Sequence, residues 1–244
     1  MTETPPVPDE ESLAFEQAAV TVGVGQVSEM LSEFVSSIIA AFEGTLAHLQ
    51  NQLTREQAMS IGRGVADRIN ALQWEPMKPR LQQVSASGQK LGVQRTIRTM
   101  RADSDRRRQA SRAPYTVAHV NIPNPDAALS EILASAVKMA RAGIATREDI
   151  ASVAGRVNMG KARIEGHARH VANHGLNLGV EKVARRINER LIWVPERNAC
   201  LACLAHAGHV IEPGKLFPPV SFDPDAKNIA SVPHPPLHPN CRCI

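Results

Sequence analysis

Four cysteines near one end of this 244-residue chain have the spacing of a metal site. Cys200 and Cys203 form a C-x-x-C turn, Cys241 and Cys243 form a C-x-C pair, and 37 residues separate the two pairs. A C-x-x-C turn directs two thiolates at one tetrahedral ion, and structural zinc closes its shell with four cysteine or histidine ligands. His238 lies three residues before the second pair. The sequence therefore predicts a structural Zn²⁺ site with five candidate ligands for four positions: Cys200, Cys203, His238, Cys241 and Cys243.

Two other interpretations of the cysteines stay open. The first is a pair of disulfides, which would need an oxidising compartment. The second is four unrelated free thiols. The N-terminus is acidic and proline-rich, without the basic segment of a secretory signal. The longest apolar run, at 34–42, is too short to cross a bilayer. We therefore expect a protein without a membrane anchor that is made in a reducing cytoplasm, which favours a metal over disulfides.

The segment around the cysteines resembles the C-terminal signature of the phage Mu F-like minor head protein (head morphogenesis) family. The resemblance lies in W-x-P-E-R-N-A-C-x-x-C from Trp193, in a glycine-containing turn at 206–209, and in the closing P-P-L-H-P-N-C-R-C. The closing H-P-N-C-R-C is the specific part, because a C-x-x-C turn alone occurs in many zinc sites. The resemblance covers about the last 80 residues and does not extend over the first half of the chain.

This resemblance implies a minor structural protein of a tailed bacteriophage virion. The expected partners are the portal protein and the major capsid protein, and the expected role is head assembly or genome packaging and delivery. Such a protein is made in the cytoplasm of the host bacterium and is located in the virion head. We expect no enzyme, because the sequence lacks G-x-S-x-G, a phosphate-binding glycine loop and H-E-x-x-H.

Two alternative functions fit the same metal site. The first is a zinc-containing nucleic-acid-binding protein that acts apart from a virion. The second and weaker alternative is a metal-dependent nuclease that uses histidines near the metal, although the sequence does not define their geometry. Those histidines are His206, His209, His234 and His238.

A further set of histidines shares one helix face, because its members are three and four residues apart. The set comprises His167, His170 and His174. No cysteine or carboxylate accompanies them at a suitable spacing, so we expect a polar helix face there and not a second metal site.

Charge is distributed unevenly along the chain, whose net charge is +4. Residues 1–54 contain eight acidic residues and no Lys or Arg, whereas residues 78–112 contain ten bases. Such a basic stretch is suited to contact the phosphates of packaged double-stranded DNA. No aromatic residues accompany the bases, so a solvated face, or one paired with the acidic N-terminal helix, is the competing interpretation. The candidates for DNA contact are Arg95, Arg98, Arg101, Arg106, Arg107, Arg108 and Arg112.

A mainly α-helical chain must position these residues. Aromatic content is only 3%, so the core must consist of Ala, Val, Leu and Ile, as in helix bundles. Apolar spacing predicts helices at 12–50, with a break at 23–25, at 54–73, and at 80–112 with Gly88 and Gly92 as weak points. Further helices are predicted at 126–141, 146–159, 161–173 and 176–189. A capping box, Thr54-Arg-Glu-Gln57, is predicted to start the second helix, and Thr146-Arg-Glu-Asp149 is predicted to cap the helix at 146–159.

The expected domain organisation follows the chain. Residues 1–11 form a disordered arm, 12–113 a helical region with the basic stretch 78–112, and 114–125 a linker. A Mu F-like domain, 126–244, then comprises helices at 126–190 and a small irregular α+β Cys/His module at 191–244, hereafter the C-terminal module. Within this module Trp193 belongs to a short strand and packs against the loop that zinc closes. Metal binding supplies folding energy to a loop too rich in proline to form a core alone.

Overall fold

The computed structural model describes residues 10–48, 53–71, 77–100, 104–111, 126–196, 198–219, 231–237, 241 and 243. Over these residues the chain is mainly α-helical, which confirms the predicted fold class. The helices are α1 (Glu10–His48), α2 (Arg55–Asn70), α3 (Met77–Thr99), α4 (Ser104–Ser111), α5 (Asp126–Arg141), α6 (Arg147–Ile187) and α7 (Leu201–Ala205). The strands are β1 (Leu191–Ile192) and β2 (Val210–Ile211). The predicted linker at 114–125 lies outside the described residues.

The chain divides into two compact units, each assembled from separated segments. The cysteine unit comprises Met1–Gly23, Pro79–Ile122 and Gly166–Ile244, and the helical unit comprises Val24–Lys78 and Pro123–Glu165. The long helices α1 and α6 contribute residues to both. The units are therefore defined by contacts between distant segments and not by successive stretches of the chain.

In the helical unit, α2 packs against α5 with very close backbones. The predicted capping box starts α2: the Thr54 hydroxyl accepts from the Gln57 N–H, and the Gln57 side chain accepts from the Thr54 N–H. A Cβ at Gly62 would lie 2.0 Å from the carbonyl oxygen of Ala140. Only glycine permits this approach, so Gly62 is required by the packing of α2.

The helix α1 is continuous, whereas the sequence predicted a break at 23–25. Gly23 belongs to the helix because α3 packs over it: a Cβ there would lie 3.2 Å from a methyl carbon of Val84. The helix begins at Glu10, inside the predicted disordered arm, and residues 1–9 of that arm lie outside the described part of the chain. The apolar residues of α1 that are buried include Val27, Leu31, Val35, Ile38 and Phe42.

The helix α6 is a single helix of 41 residues, whereas three helices were predicted over 146–189. Its predicted start is correct, since the Thr146 hydroxyl accepts from the Asp149 N–H at 3.1 Å and the Asp149 carboxylate accepts from the Thr146 N–H at 2.9 Å. It ends where Asn188 adopts a φ of 53°, the left-handed conformation typical of a helix C-terminus. The predicted interruption near Gly175 is wrong.

The glycines expected to weaken the helices are the points at which α3 and α6 meet in the cysteine unit. A Cβ at Gly92 would lie 2.0 Å from the carbonyl oxygen of Leu176, and one at Gly175 would lie 2.5 Å from that of Ser85. A Cβ at Gly179 or Gly88 would also lie close to a carbonyl oxygen of the opposite helix, at 2.3 Å and 2.8 Å respectively. A G-x-x-x-G segment on each helix thus contacts the other helix, and the intimate packing outweighs the poor helix propensity of glycine.

The basic stretch forms two helices, α3 and α4, where one helix was predicted at 80–112. Within the cysteine unit, Ala110 of α4 is buried in an apolar cluster with Val93 of α3 and Val183 of α6. Ala110 thus connects α4 to the apolar cluster formed with α3 and α6. No helix in the described part of the chain is both long and apolar enough to cross a membrane.

Candidate metal centre

The C-terminal module begins with a two-stranded antiparallel sheet, in which Leu191 of β1 pairs with Ile211 of β2. The pairing continues past the strands, because the Trp193 N–H donates to the His209 carbonyl at 2.9 Å. The short helix α7 lies in the connection between the two strands. Further along, the Phe217 N–H donates to the Val232 carbonyl at 2.8 Å, which brings the ends of the segment 218–231 together. The predicted strand at Trp193 therefore ends one residue earlier, at Ile192, although Trp193 continues the pairing through its hydrogen bond to His209.

Three cysteines converge inside this module. The sulfurs of Cys203, Cys241 and Cys243 all lie within 4.8 Å of one another, and all three residues are buried. The Sγ atoms of Cys203 and Cys241 are 3.5 Å apart, and none of the four cysteines, all of which are described, forms a disulfide. Trp193, Ile211 and Phe217 pack in the same cluster, as predicted for Trp193. Three buried sulfurs from two chain segments form a site that could hold a thiophilic metal ion.

The protonation of the thiols depends on their mutual contacts. Hydrogen bonding from Cys203, and then from Cys243, lowers the pKa of Cys241 against the opposing effect of burial. The same contact with Cys241 raises the pKa of Cys203, and burial raises it further. One thiolate in such a cluster is stabilised by its neighbours, but three thiolates would repel one another unless a cation bound them.

Two asparagines of α6 hold the cysteine segment. The Asn173 side-chain amide donates to the Cys241 carbonyl at 2.7 Å, and that of Asn177 donates to the Cys243 carbonyl at 3.2 Å. Both asparagines are buried, and the Asn177 amide also donates to the Asn173 carbonyl at 3.1 Å. Since buried carbonyl groups need donors, these amides fix the backbone that carries two of the three sulfurs.

The polar stripe on α6 continues one turn further. Glu181 is buried and pairs with the Arg185 guanidinium at 2.5 Å, while its other carboxylate oxygen lies 3.7 Å from His234 Nε2. The ring of His234 meets that of His174 edge-on, with centroids 4.8 Å apart. Burial, followed by the charges of His234 and His170, lowers the pKa of His174 to about 4. Both rings are thus neutral near pH 7, because burial also lowers the pKa of His234.

His206 lies at the C-cap of α7 and is enclosed by aromatic rings. Its ring stacks on Trp193 with centroids 4.6 Å apart and meets Phe217 at 6.1 Å. Burial, and then the charge of His209, lowers the pKa of His206, while Cys241 opposes this change. The imidazole is therefore neutral near pH 7, which is the form that binds metals.

The structure does not gather all five predicted ligands. It brings together Cys203, Cys241 and Cys243, whereas Cys200 is exposed at the N-cap of α7. His238 lies outside the described residues. Of the two cysteines in the C-x-x-C turn, Cys203 belongs to the group of three sulfurs and Cys200 does not, because Cys200 precedes the first residue of α7 and Cys203 lies within that helix.

The predicted DNA-contacting arginines lie on two helices of the cysteine unit. Arg95 and Arg98 belong to α3, while Arg106, Arg107 and Arg108 are exposed on α4. Arg106 pairs with Glu189 and Arg108 with Asp105. The remaining candidates, Arg101 and Arg112, lie outside the described residues. The described arginines of α4 form an exposed basic face, part of which is already paired with acidic residues.

Sequence reasoning missed the α6 residues that support the site. Asn173, Asn177, Glu181 and Arg185 follow one another at four-residue spacing, which places them on one face of a helix. The sequence signal for these supporting residues was a row of polar residues at this spacing within a helix that is otherwise rich in buried apolar residues. The three histidines that were predicted to form a polar face lie on the same helix, and His174 is the member that contacts the module.

No protein-family model, curated protein or solved structure gives a match to this chain. The family resemblance therefore rests on the motif alone, and functional inference must start from the geometry of the cysteine site.

Proposed function

We propose that this protein is a minor structural protein of a tailed-phage head and that a structural Zn²⁺ ion closes its C-terminal module. The observation that carries the proposal is the convergence of three buried sulfurs from two segments of one module. This convergence gives the cysteines of the H-P-N-C-R-C motif a shared role, and it is the motif on which the resemblance to head morphogenesis proteins depends.

Zinc is the ion that these donors favour. Thiolates are soft ligands, and Ca²⁺ and Mg²⁺ prefer oxygen donors. Buried, sulfur-rich sites with a full tetrahedral shell are typical of structural zinc, whereas catalytic zinc keeps a position open for water. Two disulfides are a poorer explanation, because Cys200 is exposed and three sulfurs, not two, meet in the cluster.

A structural role in assembly also fits the way in which the module is built. Trp193, Phe217 and the three cysteines form a small core that is held on α6 by Asn173 and Asn177. A module held together by such a core would present a defined surface for docking on portal or capsid subunits. The exposed arginines of α4 support the additional proposal that this part of the protein faces packaged DNA.

The metal part of the proposal is tested by elemental analysis of protein purified under reducing conditions without chelator. We expect about one zinc per chain, as structural sites hold one ion in a closed shell. A Cys241→Ser variant should lose the metal and should be cleaved more readily by protease within 191–244. Metal-free wild-type protein that retains its protease resistance would contradict a structural zinc.

The assembly part is tested separately by co-expression with the portal and major capsid proteins of the same genome. We expect the wild-type protein to co-sediment with portal-containing particles and Cys241→Ser to be absent from them. The alternative, a zinc-containing nucleic-acid-binding protein, is supported by the same exposed arginines. It predicts strong, salt-dependent affinity for duplex DNA without co-assembly. That result would replace the head-protein proposal.

A further inference from the structure

We propose that His206 is the fourth ligand of the metal centre, together with Cys203, Cys241 and Cys243. This inference rests on the proposed zinc site and assigns a ligand outside the five residues that the sequence predicted. It gives the centre a Cys₃His donor set, which is one of the ordinary sets for structural zinc.

The first argument is the burial of a polar ring without partners. His206 is 0% exposed, and neither of its ring nitrogens has a hydrogen-bond partner among the described residues. Leaving a buried polar atom unsatisfied costs about 1–3 kcal/mol, so native proteins rarely tolerate it without an ion or a water. Coordination of a metal would occupy one of the two nitrogens.

The second argument is position. Cys203 and His206 are three residues apart at the end of α7, where the His206 N–H donates to the Cys203 carbonyl at 3.2 Å. Residues at this spacing lie on the same side of a helical turn. The spacing C-x-x-H offers a sulfur and a nitrogen to one ion in the same way that C-x-x-C offers two sulfurs. Cys241 is close enough to influence the His206 ring electrostatically.

The third argument concerns Cys200, the fourth cysteine. It precedes α7, it is exposed, and it is not part of the group of three sulfurs. The group with mutual distances within 4.8 Å contains the sulfurs and not the imidazole. To bind the same ion the His206 ring would have to move closer to the sulfurs, and it starts from a buried position against Trp193 of the same cluster, whereas Cys200 starts from an exposed position.

Two substitutions separate a ligand from a packing residue. His206→Leu keeps an apolar side chain against Trp193 but removes the donor, and His206→Cys keeps a donor. Cys200→Ser and His238→Ala test the two competing ligands. Each full-length variant is titrated with Co²⁺, whose visible absorption reports tetrahedral thiolate coordination, and then with competing Zn²⁺. Far-UV circular dichroism checks that each variant is folded.

We expect His206→Leu to weaken metal binding more than 100-fold, beyond the roughly 10–100-fold typical of residues that only support a ligand. His206→Cys should bind Co²⁺ with a shifted spectrum and stronger thiolate-to-metal absorption, and Cys200→Ser should bind like the wild type. If His206→Leu keeps wild-type affinity while Cys200→Ser or His238→Ala loses it, the assignment is wrong although the zinc site stands. Wild-type protein that binds neither metal would overturn both the zinc site and this assignment.

Discussion

At the scale of single residues, the cysteine cluster depends on side chains that lie outside it. Asn173 and Asn177 donate to the carbonyls of Cys241 and Cys243, so the position of two sulfurs is determined by hydrogen bonds from α6. Outer partners of this kind orient the ligands and contribute to metal affinity. They were not predicted from the sequence, because the cysteine spacing contains no information about which helix receives the cysteine segment.

The contribution of Asn177 can be measured by truncation. Asn177→Ala removes the shorter of two side-chain donors to the Cys243 carbonyl and leaves only the Asn173 amide at 3.5 Å. We therefore expect the protein to lose about 1–3 kcal/mol of unfolding free energy in urea. Asn158→Ala, an exposed position on the same helix, is the matched control and should change stability by less than about 0.5 kcal/mol. Equal effects of the two substitutions would show that the hydrogen bond is energetically irrelevant.

A second prediction at this scale concerns His174. Its pKa is lowered to about 4 from the ordinary value of 6.5, mainly by burial, so the folded state binds its proton less readily than the unfolded chain. The resulting stability is fully present above about pH 6.5 and is lost as the pH falls towards 4, amounting to at most about 3 kcal/mol. The charged and titratable groups nearest to it are His170 and His234, and Glu181 lies against His234.

The measurement is urea denaturation of wild type and His174→Gln between pH 7 and pH 4. We expect the wild type to lose more stability than the variant over this range, because glutamine does not titrate. Acid release of metal from the thiolates affects both proteins and cancels in the comparison. Parallel stability curves would mean that protonation of His174 is not coupled to folding.

At the scale of elements, the sequence predicts helix type well and helix continuity poorly. The caps at Thr54 and Thr146 are correct, because a capping side chain and its partner are close in sequence. The breaks at Gly23 and Gly175 are wrong, because the reason for each glycine is a neighbouring helix that is distant in sequence. Helix propensity indicates only that glycine weakens a helix. The packed structure shows that the missing glycine side chain makes room for the backbone of a neighbouring helix.

The same reasoning explains the partial success with the metal ligands. Cysteine spacing identified three sulfurs that do converge, because paired cysteines at both ends of a loop are rare unless they share an ion. It could not exclude Cys200, whose exposure depends on where α7 begins. His206 was not among the five candidates although its C-x-x-H spacing from Cys203 is visible in the sequence, because the burial of its ring against Trp193 is seen only in the structure.

Glycine substitutions test the packing of α3 against α6. Gly92→Ala places a methyl group 2.0 Å from the carbonyl oxygen of Leu176, so the helices must separate, and we expect a loss of about 1–3 kcal/mol or more. Gly155→Ala is the matched control, since nothing lies within 4 Å of its added carbon and alanine is the better helix former. That control should gain about 0.5–1 kcal/mol. Thermal unfolding of both variants would refute the packing argument if Gly92→Ala were as stable as Gly155→Ala.

At the scale of the whole molecule, a metal ion at the three sulfurs would couple ion binding to folding within the cysteine unit. The module is a small core around Trp193, Phe217 and the cysteines, and among the described residues a backbone hydrogen bond joins Phe217 to Val232. A core of this size has little stability of its own, so the binding energy of an ion held by the sulfurs would become folding energy of the module. The helices, by contrast, are held by the packing of α3 with α6 and of α2 with α5, which involves no cysteine.

Charge is the other property of the whole molecule, and it leads to a test of DNA binding. Arg106, Arg107 and Arg108 are exposed on α4. Reversing them to Glu removes two exposed ion pairs, each worth about 0–1 kcal/mol, but leaves Ala110 in its apolar cluster. If they bind phosphate, duplex affinity should fall. The slope of log affinity against log salt should also become shallower by about 0.9 for each phosphate that the variant no longer neutralises.

The matched control for this test reverses three exposed arginines of α6, Arg147, Arg156 and Arg163, with the same change in net charge. Because Arg106 and Arg108 are already paired with acidic residues, we expect the effect of the α4 variant to come chiefly from Arg107. Fluorescence anisotropy with a short duplex at several salt concentrations distinguishes the cases. Equal losses of affinity in the two triple variants would indicate attraction by overall charge, and a loss confined to the α4 variant would locate DNA binding on that helix.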